Sequence, residues 1–344
     1  MEFTFLQILW FFLIFLLIAG YFILDGFDLG VGVLYPFVAK DDHERALARR
    51  SIGPVWDGNE VWLLTAGGAL FAAFAPAYAT TFSGFYLAIM LVLFGLIVRA
   101  VAVEFASRDR AWAKIWDALF FVGSLLPALL TGVAVGNIYA GIPMDMAGNY
   151  NGLPLIGLVT PFPLLCGLLG LSMMMVAGAS WLALKAPKPS KLQARATRLR
   201  MPLQIAALVL FACVSLYGHV VIQPEMDASL GILRWLFAIL CVGCLAGAIV
   251  LGRDSERDLA VFLLQSVSAF SLVFLLATSM FPDMVVASAT SVGPTIGIAN
   301  AVSSDTALFW MTVIACIGVP LVLAYHVITY RMFRGRISEA DLEH

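Results

Sequence analysis

Residues 5–37 read FLQILWFFLIFLLIAGYFILDGFDLGVGVLYPF, a run of apolar residues broken only by Asp25 and Asp28 as charged groups. A bilayer core is about 30 Å thick and is crossed by about 20 apolar residues in a helix. Once in lipid, a segment must satisfy its own backbone hydrogen bonds, and a helix does so. The stretch therefore predicts a transmembrane helix longer than the bilayer requires, one that tilts or projects beyond it. No basic residue precedes it, and no cleavage site interrupts it before Asp25-Gly-Phe-Asp-Leu-Gly30. It reads as a retained first span rather than a secretory signal.

The same pattern recurs along the 344 residues, which are 62% apolar and only 12% charged. That is about half the charge of a soluble domain. Nine apolar segments are expected, near 5–37, 54–76, 80–104, 117–139, 160–184, 201–222, 229–251, 259–281 and 306–330. The fold class this predicts is an all-α integral membrane protein of nine transmembrane helices. The net charge of −2 and the absence of a basic block leave no footprint for nucleic acid.

Lys and Arg orient the spans, because they accumulate in cytoplasmic connections. Lys40, Arg45, Arg49 and Arg50 lie in 38–53, and Arg108, Arg110 and Lys114 in 105–116. Six more fall in 185–200, Arg253 and Arg257 in the seventh connection, and Arg331, Arg334 and Arg336 at the C-terminus. Only Arg234 lies toward the other side. This alternation predicts an outer N-terminus and a cytoplasmic C-terminus. The expected organisation is a first bundle over 1–184, a basic cytoplasmic loop over 185–200, and a second half over 201–344. In it, four spans make each bundle and the ninth is peripheral. Ser303-Ser304-Asp305 offers a helix N-cap for the last span.

Charged side chains within spans are costly and mark function or protein contact. Asp25 and Asp28 are three apart and share one face of the first span. Asp57 and Glu60 do the same at the start of the second, within Trp56-Asp-Gly-Asn59-Glu60. Arg99 and Glu104 end the third span, and Asp117 opens the fourth. Alternating span direction brings all seven to one depth, on the cytoplasmic side. Carboxylates in low dielectric hold protons readily and relay them through water. For Asp25, Asp28, Asp57 and Glu60 a proton path is the favoured reading, and Arg99 is expected to be paired. For Glu104 and Asp117, at span ends, a surface collar is favoured.

The remaining chemistry-bearing residues point elsewhere. Cys241 and Cys244 have redox-motif spacing but lie mid-span among Leu, Ile and Val, where cysteine acts as a small apolar residue. Gly26 and Gly30 make a small-x-x-x-small pattern suited to close helix packing. The histidines are His43, His219, His326 and His344, too few and too separated to suggest haem ligation by this chain. No metal-ligand cluster or phosphate-binding loop is evident.

The order Asp25-Gly-Phe-Asp-Leu-Gly-Val-Gly32, Trp56-Asp-Gly-Asn-Glu-Val-Trp62, Thr65-Ala-Gly-Gly-Ala-Leu-Phe, Phe82-Ser-Gly-Phe-Tyr86, Arg99, Trp116-Asp117 and Gly132-Val-Ala-Val-Gly-Asn137 resembles subunit II of cytochrome bd-type quinol oxidases. The resemblance covers essentially the whole chain and is densest before residue 140. It implies a bacterial inner-membrane heterodimer with a larger subunit I that holds two haems b and one haem d. Quinol, ubiquinol or menaquinol, would be oxidised and oxygen reduced to water, with protons drawn from the cytoplasm. Two similar nine-span subunits are implied, with small single-span subunits as companions in some members. The resemblance places the proton path at Asp57 and the acids near it. Some members also hold a structural quinone, which here would lie beside Trp56, Asp57, Asn59 and Arg99. This chain itself would bind no haem. The competing classes are a proton-coupled secondary transporter, which would place its polar groups near the midplane, and a purely structural membrane partner.

Overall fold

The computed structural model describes residues 3–106, 108–222, 228–252, 255–338 and 341, so that Arg253, His344 and the segment 223–227 lie outside the description. Helix α1, Phe5–Val38, starts at a capping box in which the Gln7 amide donates to Thr4 Oγ1 and the Thr4 amide to Gln7 Oε1. Its 34 residues extend about 51 Å at 1.5 Å per residue, beyond the bilayer core as the sequence predicts. From Asp25 to Tyr35 every residue is buried, so α1 is the central post of the bundle.

Around it follow α2 (Asp42–Ile52), α3 (Trp56–Ala73), α4 (Ala75–Gly84), α5 (Tyr86–Phe105), α6 (Ala113–Ala140) and α7 (Pro161–Lys185). Then come α8 (Lys191–Tyr217), prolonged by a π-helical turn over Gly218–Ile222, α9 (Gly231–Leu251) and α10 (Asp258–Met280). Two short antiparallel strands, β1 (Asp283–Val285) and β2 (Ile296–Gly297), precede α11 (Ile298–Ala301) and the last helix, α12 (Asp305–Met332). Among the described residues, eight helices are long and apolar enough to cross a membrane. Helix α3, at the predicted second span, is the exception: it has 18 residues and carries Asp57, Asn59 and Glu60 in its first turns.

Glycine sets how closely α1 packs. A Cβ added to Gly30 would stand 1.9 Å from the Met174 carbonyl oxygen, and one on Gly178 would stand 2.3 Å from the Gly30 carbonyl carbon. The backbones of α1 and α7 therefore touch at Gly30, while Gly26, the other half of the small-residue pattern, meets only the Met174 side chain. Similarly, a Cβ on Gly123 of α6 would stand 2.8 Å from the Arg99 backbone nitrogen, so α5 and α6 meet where α5 delivers its arginine.

The connections hold more structure than an apolar count detects. The segment 38–53 contains α2, capped by Asp41, and the expected basic loop over 185–200 is helical from Lys191, capped by Ser190. Charged residues are good helix formers, so α8 runs on past its apolar stretch. The expected third span begins instead inside α4, and the chain turns at Phe74 and Phe85.

One end of the bundle collects the basic segments. Arg195 pairs with Glu44, Arg45 and Arg49 with Asp117, and Arg200 and Arg336 share Asp258 at 2.7 and 3.0 Å. The C-terminal tail is fastened there as well. Lys185 donates to the Phe333 and Gly335 carbonyls, and Arg336 donates to those of Ala183 and Ala186. At the opposite end, the 140–159 and 282–305 connections join through the Ile142 amide to Val286 O and the Ser288 amide to Ile142 O, each 3.0 Å. Helix α12 is capped by Ser304, as expected, but buries only Leu308, His326 and Thr329. Cys241 is buried with its sulfur 3.4 Å from Ser268 Oγ, and no disulfide joins it to Cys244.

Candidate functional site

The charged residues of α1, α3 and α5 meet in the interior. Arg99 and Asp25 are both fully buried, with Nη2 2.8 Å from Asp25 Oδ1, and the same nitrogen also pairs with Glu60. Glu60 keeps 23% of its side chain exposed and so forms the outer edge of the cluster. Asp28, one turn along α1 from Asp25, is fully buried and accepts a 2.7 Å hydrogen bond from Asn59 Nδ2. Half-buried Trp56 presents its ring 6.0 Å from the Arg99 guanidinium carbon.

Fully ionised, this cluster would hold three carboxylates against one guanidinium. An uncompensated charge excess in a buried site is costly, and carboxylates sharing such a site do not all ionise together. Asp28 Oδ1, Arg99 Nε and Arg99 Nη1 are buried with no hydrogen-bond partner among the described residues, while the Tyr21 hydroxyl faces the Asp25 carboxylate. Buried polar atoms are rarely left so, and three in one place suit water or a polar group from outside the chain.

Of the predicted site residues, Asp25, Asp28, Glu60, Asn59, Trp56 and Arg99 converge. Asp57 does not. It is exposed, without a hydrogen bond or ion pair among the described residues, on the face of α3 that also exposes Val61, Leu64 and Phe71. Glu104 is exposed likewise. Asp117 belongs to a separate group at the basic end, where Arg45, Arg49 and the Tyr35 hydroxyl surround it. The seven-residue convergence predicted from depth alone therefore resolves into a four-residue core and three peripheral acids. Depth is a coarse coordinate, and helix rotation decides which side chains turn inward.

Two tyrosines escaped the sequence reading. Tyr21 is one turn before Asp25, so positions 21, 25 and 28 form a single helical stripe. That spacing was legible, hidden only because an uncharged residue attracts no notice among apolar ones. Tyr330 arrives from the last helix and donates to Asn59 Oδ1 at 3.0 Å. Nothing local in the sequence announces it. Trp62 Nε1 donates to His326 Nε2 at 3.3 Å, and His326 Nδ1 faces the Val322 carbonyl at 2.8 Å, so both ring nitrogens of this histidine are engaged.

Comparison with known proteins agrees with this architecture. The family described as cytochrome bd terminal oxidase subunit II matches residues 6–333. Cytochrome bd-I ubiquinol oxidase subunit 2 of Escherichia coli strain K12 is 33% identical over 377 residues, 99% of this chain and 98% of that one. Cytochrome bd ubiquinol oxidase subunit 2 of Bacillus subtilis strain 168 is 33% identical over 338 residues, 97% of each. In structure, a chain of the bd oxidase from Geobacillus thermodenitrificans matches with a TM-score of 0.77, covering 96% of this chain and 99% of that one at 15% identity. A family match along nearly the full length, joined to the same fold and an acidic membrane-embedded cluster, has one meaning: the chain belongs to the cytochrome bd terminal oxidase subunit II family.

Proposed function

We propose that this chain is the non-haem subunit of a quinol-oxidising, oxygen-reducing bd-type complex, stabilising a haem-bearing subunit I and supplying part of a cytoplasmic proton path. The observation that carries the proton path is the buried set of Asp25, Asp28, Glu60 and Arg99, with its excess of carboxylates and unpartnered polar atoms. Asp57 stands at the start of α3, and Glu60 lies one turn farther in. In this reading a proton from the cytoplasm meets Asp57, passes to Glu60 and then joins the Asp25–Asp28 pair. Arg99 holds Asp25 and Asn59 holds Asp28, and the one guanidinium limits how many of the carboxylates ionise together. Proton-coupled transport is disfavoured by the family membership.

Nine spans, an outer N-terminus and a cytoplasmic C-terminus in the bacterial inner membrane fit the gathering of basic segments at one end. On this reading α3 is the ninth crossing, and its carboxylates are sheltered by protein. A carboxylate facing lipid is expensive, so the exposed face of α3 bearing Asp57 is covered by subunit I. Two four-helix bundles, divided near the 185–200 segment, and small single-span companions complete the picture.

The haems of such a complex are assigned to subunit I. A structural quinone fits this chain in part. Arg99 Nε and Nη1 are donors without acceptors among the described residues, and Trp56 offers a ring beside them, so these two residues would hold a quinone carbonyl. Asn59 is already committed at both ends, and Asp57 faces away. When bound, such a quinone would supply a hydrogen-bond acceptor and apolar bulk.

The test is Asp25→Asn and Asp28→Asn in the assembled complex. Normal haem content with quinol oxidase turnover reduced about a hundredfold or more is expected, the usual scale for a lost proton-transfer group. Full turnover in both variants, with normal haem content, would remove the proton path from this chain.

A further inference from the structure

Helix α12 is an unusual place to find a contact with the acid cluster. It lies at the periphery and is exposed along most of its length, yet Tyr330 reaches Asn59 at the cluster's edge. The hydrogen-bond chemistry at Asn59 is determinate. Its Nδ2 lies 3.3 Å from the Leu24 carbonyl and 2.7 Å from Asp28 Oδ2. A backbone carbonyl only accepts, so the amide nitrogen must be on that side. The amide oxygen then faces Tyr330, whose hydroxyl must donate to it.

We propose that Tyr330 is a positioning residue for Asp28: by fixing the Asn59 amide, it delivers Nδ2 to Asp28 Oδ2 and leaves Oδ1 as the oxygen that takes up a proton. The proposal rests on the proton-path reading and adds to it a direction and a residue from the last helix. An amide does not pass a proton between Tyr330 and Asp28 without tautomerising, so the pair is a bracket and not a wire. The proton that Oδ1 receives comes along the path proposed above, by way of Asp57 and Glu60, and leaves toward subunit I. Asp28 Oδ1 is buried and has no partner among the described residues, as a proton-accepting oxygen requires.

The phenol is itself held firmly. Its ring lies near those of Trp181, His326 and Phe27, with centroids 6.0, 6.3 and 6.5 Å away. His326 is anchored in turn by Trp62, and the chain beyond α12 is fastened through Lys185 and Arg336. An otherwise weakly packed helix is thus secured on either side of Tyr330. A helix needed only for bulk would not require its polar side chain to meet an asparagine that binds a buried carboxylate.

The experiment uses the whole complex with subunit I, purified from native membranes, with haem content as the measure of assembly. For Tyr330→Phe we expect normal haem content, a KM for a short-chain ubiquinol within about twofold, and a kcat lowered about fivefold or more. The pH–rate profile should be displaced by about half a unit or more, a change that a loss of packing alone does not produce. Asn59→Ser removes the same bracket from the other side and should reproduce both effects. The double variant should be no worse than the more severe single one, because one interaction is lost in each. An unmoved pH–rate profile in a fully assembled Tyr330→Phe or Asn59→Ser complex would overturn the proposal, as would additive losses. Should Tyr330→Phe lose haem, the Asn59→Ser profile decides. Asp28→Asn separates the two levels. Full turnover there and in Asp25→Asn removes the proton path itself, whereas an impaired Asp28→Asn beside an unaffected Tyr330→Phe removes only the positioning role.

Discussion

Substituting Gly30 by Ala tests whether the acid cluster depends on backbone contact between helices. The new methyl carbon would lie 1.9 Å from the Met174 carbonyl oxygen, 2.6 Å from its carbon and 3.0 Å from the Gly178 nitrogen. A carbon–oxygen contact sits at about 3.3 Å, so α1 and α7 must separate by about 1.4 Å. Helix α1 has no free direction to move. A Cβ on Gly32 would stand 1.9 Å from Ser124 Oγ, and one on Gly20 would stand 2.3 Å from the Trp62 ring, so α6 and α3 press on it too. Overpacking ordinarily costs about 1–3 kcal/mol; without room for relief the upper end applies, about two orders of magnitude in the folding equilibrium. Gly26 is the control, because its added Cβ would meet only the flexible Met174 side chain, at 3.4 Å. Gly26→Ala even gains helix propensity of about 1 kcal/mol. Haem content per tagged chain and the thermal midpoint of the complex give the readout. Gly30→Ala should lose assembled complex, while Gly26→Ala should match the parent. Equal behaviour of the two variants, in either direction, would refute the argument.

Three further outcomes follow from the ion pairs. Arg99→Leu strands Asp25 and Glu60 and should cost about 3–5 kcal/mol, visible as a lower thermal midpoint than Asp25→Asn produces; a smaller loss than in Asp25→Asn would contradict the pairing. Asp117→Asn should leave turnover within about twofold, because its partners Arg45, Arg49 and Tyr35 lie at the basic end and none belongs to the acid cluster. A turnover loss of about tenfold would place Asp117 on the path. Arg200→Leu leaves buried Asp258 with Arg336 alone and should cost about 3–5 kcal/mol in the same thermal scan, with Arg200→Leu/Asp258→Leu recovering part of it.

The fold class was legible because lipid leaves a chain few choices: apolar length and the alternation of Lys and Arg state where helices run. Helix starts were legible where a side chain caps them, as at Ser304. What could not be read was structure formed by charged residues, since α2 and the first turns of α8 contain helix formers without apolar periodicity. Asp25 and Asp28 were legible as a shared face because spacing on one helix is fixed by geometry. Asp57 was misplaced for the complementary reason. Spacing says that Asp57 and Glu60 lie near one face, but not that helix rotation divides them at the boundary between interior and surface. Tyr330 was beyond reach, because 271 residues separate it from Asn59 and only the tertiary packing of α12 joins them.

The same helix that is packed most closely also carries the residues most costly to bury, and these facts explain each other. Asp25 and Asp28 on a loosely held helix would turn out of the interior and lose their buried partners Arg99 and Asn59. Backbone contact through Gly30 and Gly178 removes that freedom, so the burial cost is met by neighbouring packing and the carboxylates remain at fixed positions. Rigid elements hold a reactive group more closely than loops do. Arg99 is fixed by the same device, since Gly123 lets the α6 backbone touch α5 at that residue. Three glycine contacts therefore set the geometry of the acid cluster without touching any of its polar atoms. It follows that a bulky substitution at Gly123 should damage turnover in whatever fraction of complex still assembles, while substitution at Gly68, where an added Cβ meets nothing within 4 Å, should not. Turnover per haem for Gly123→Ala and Gly68→Ala measures this directly, and an undiminished value for Gly123→Ala would detach the cluster from its packing.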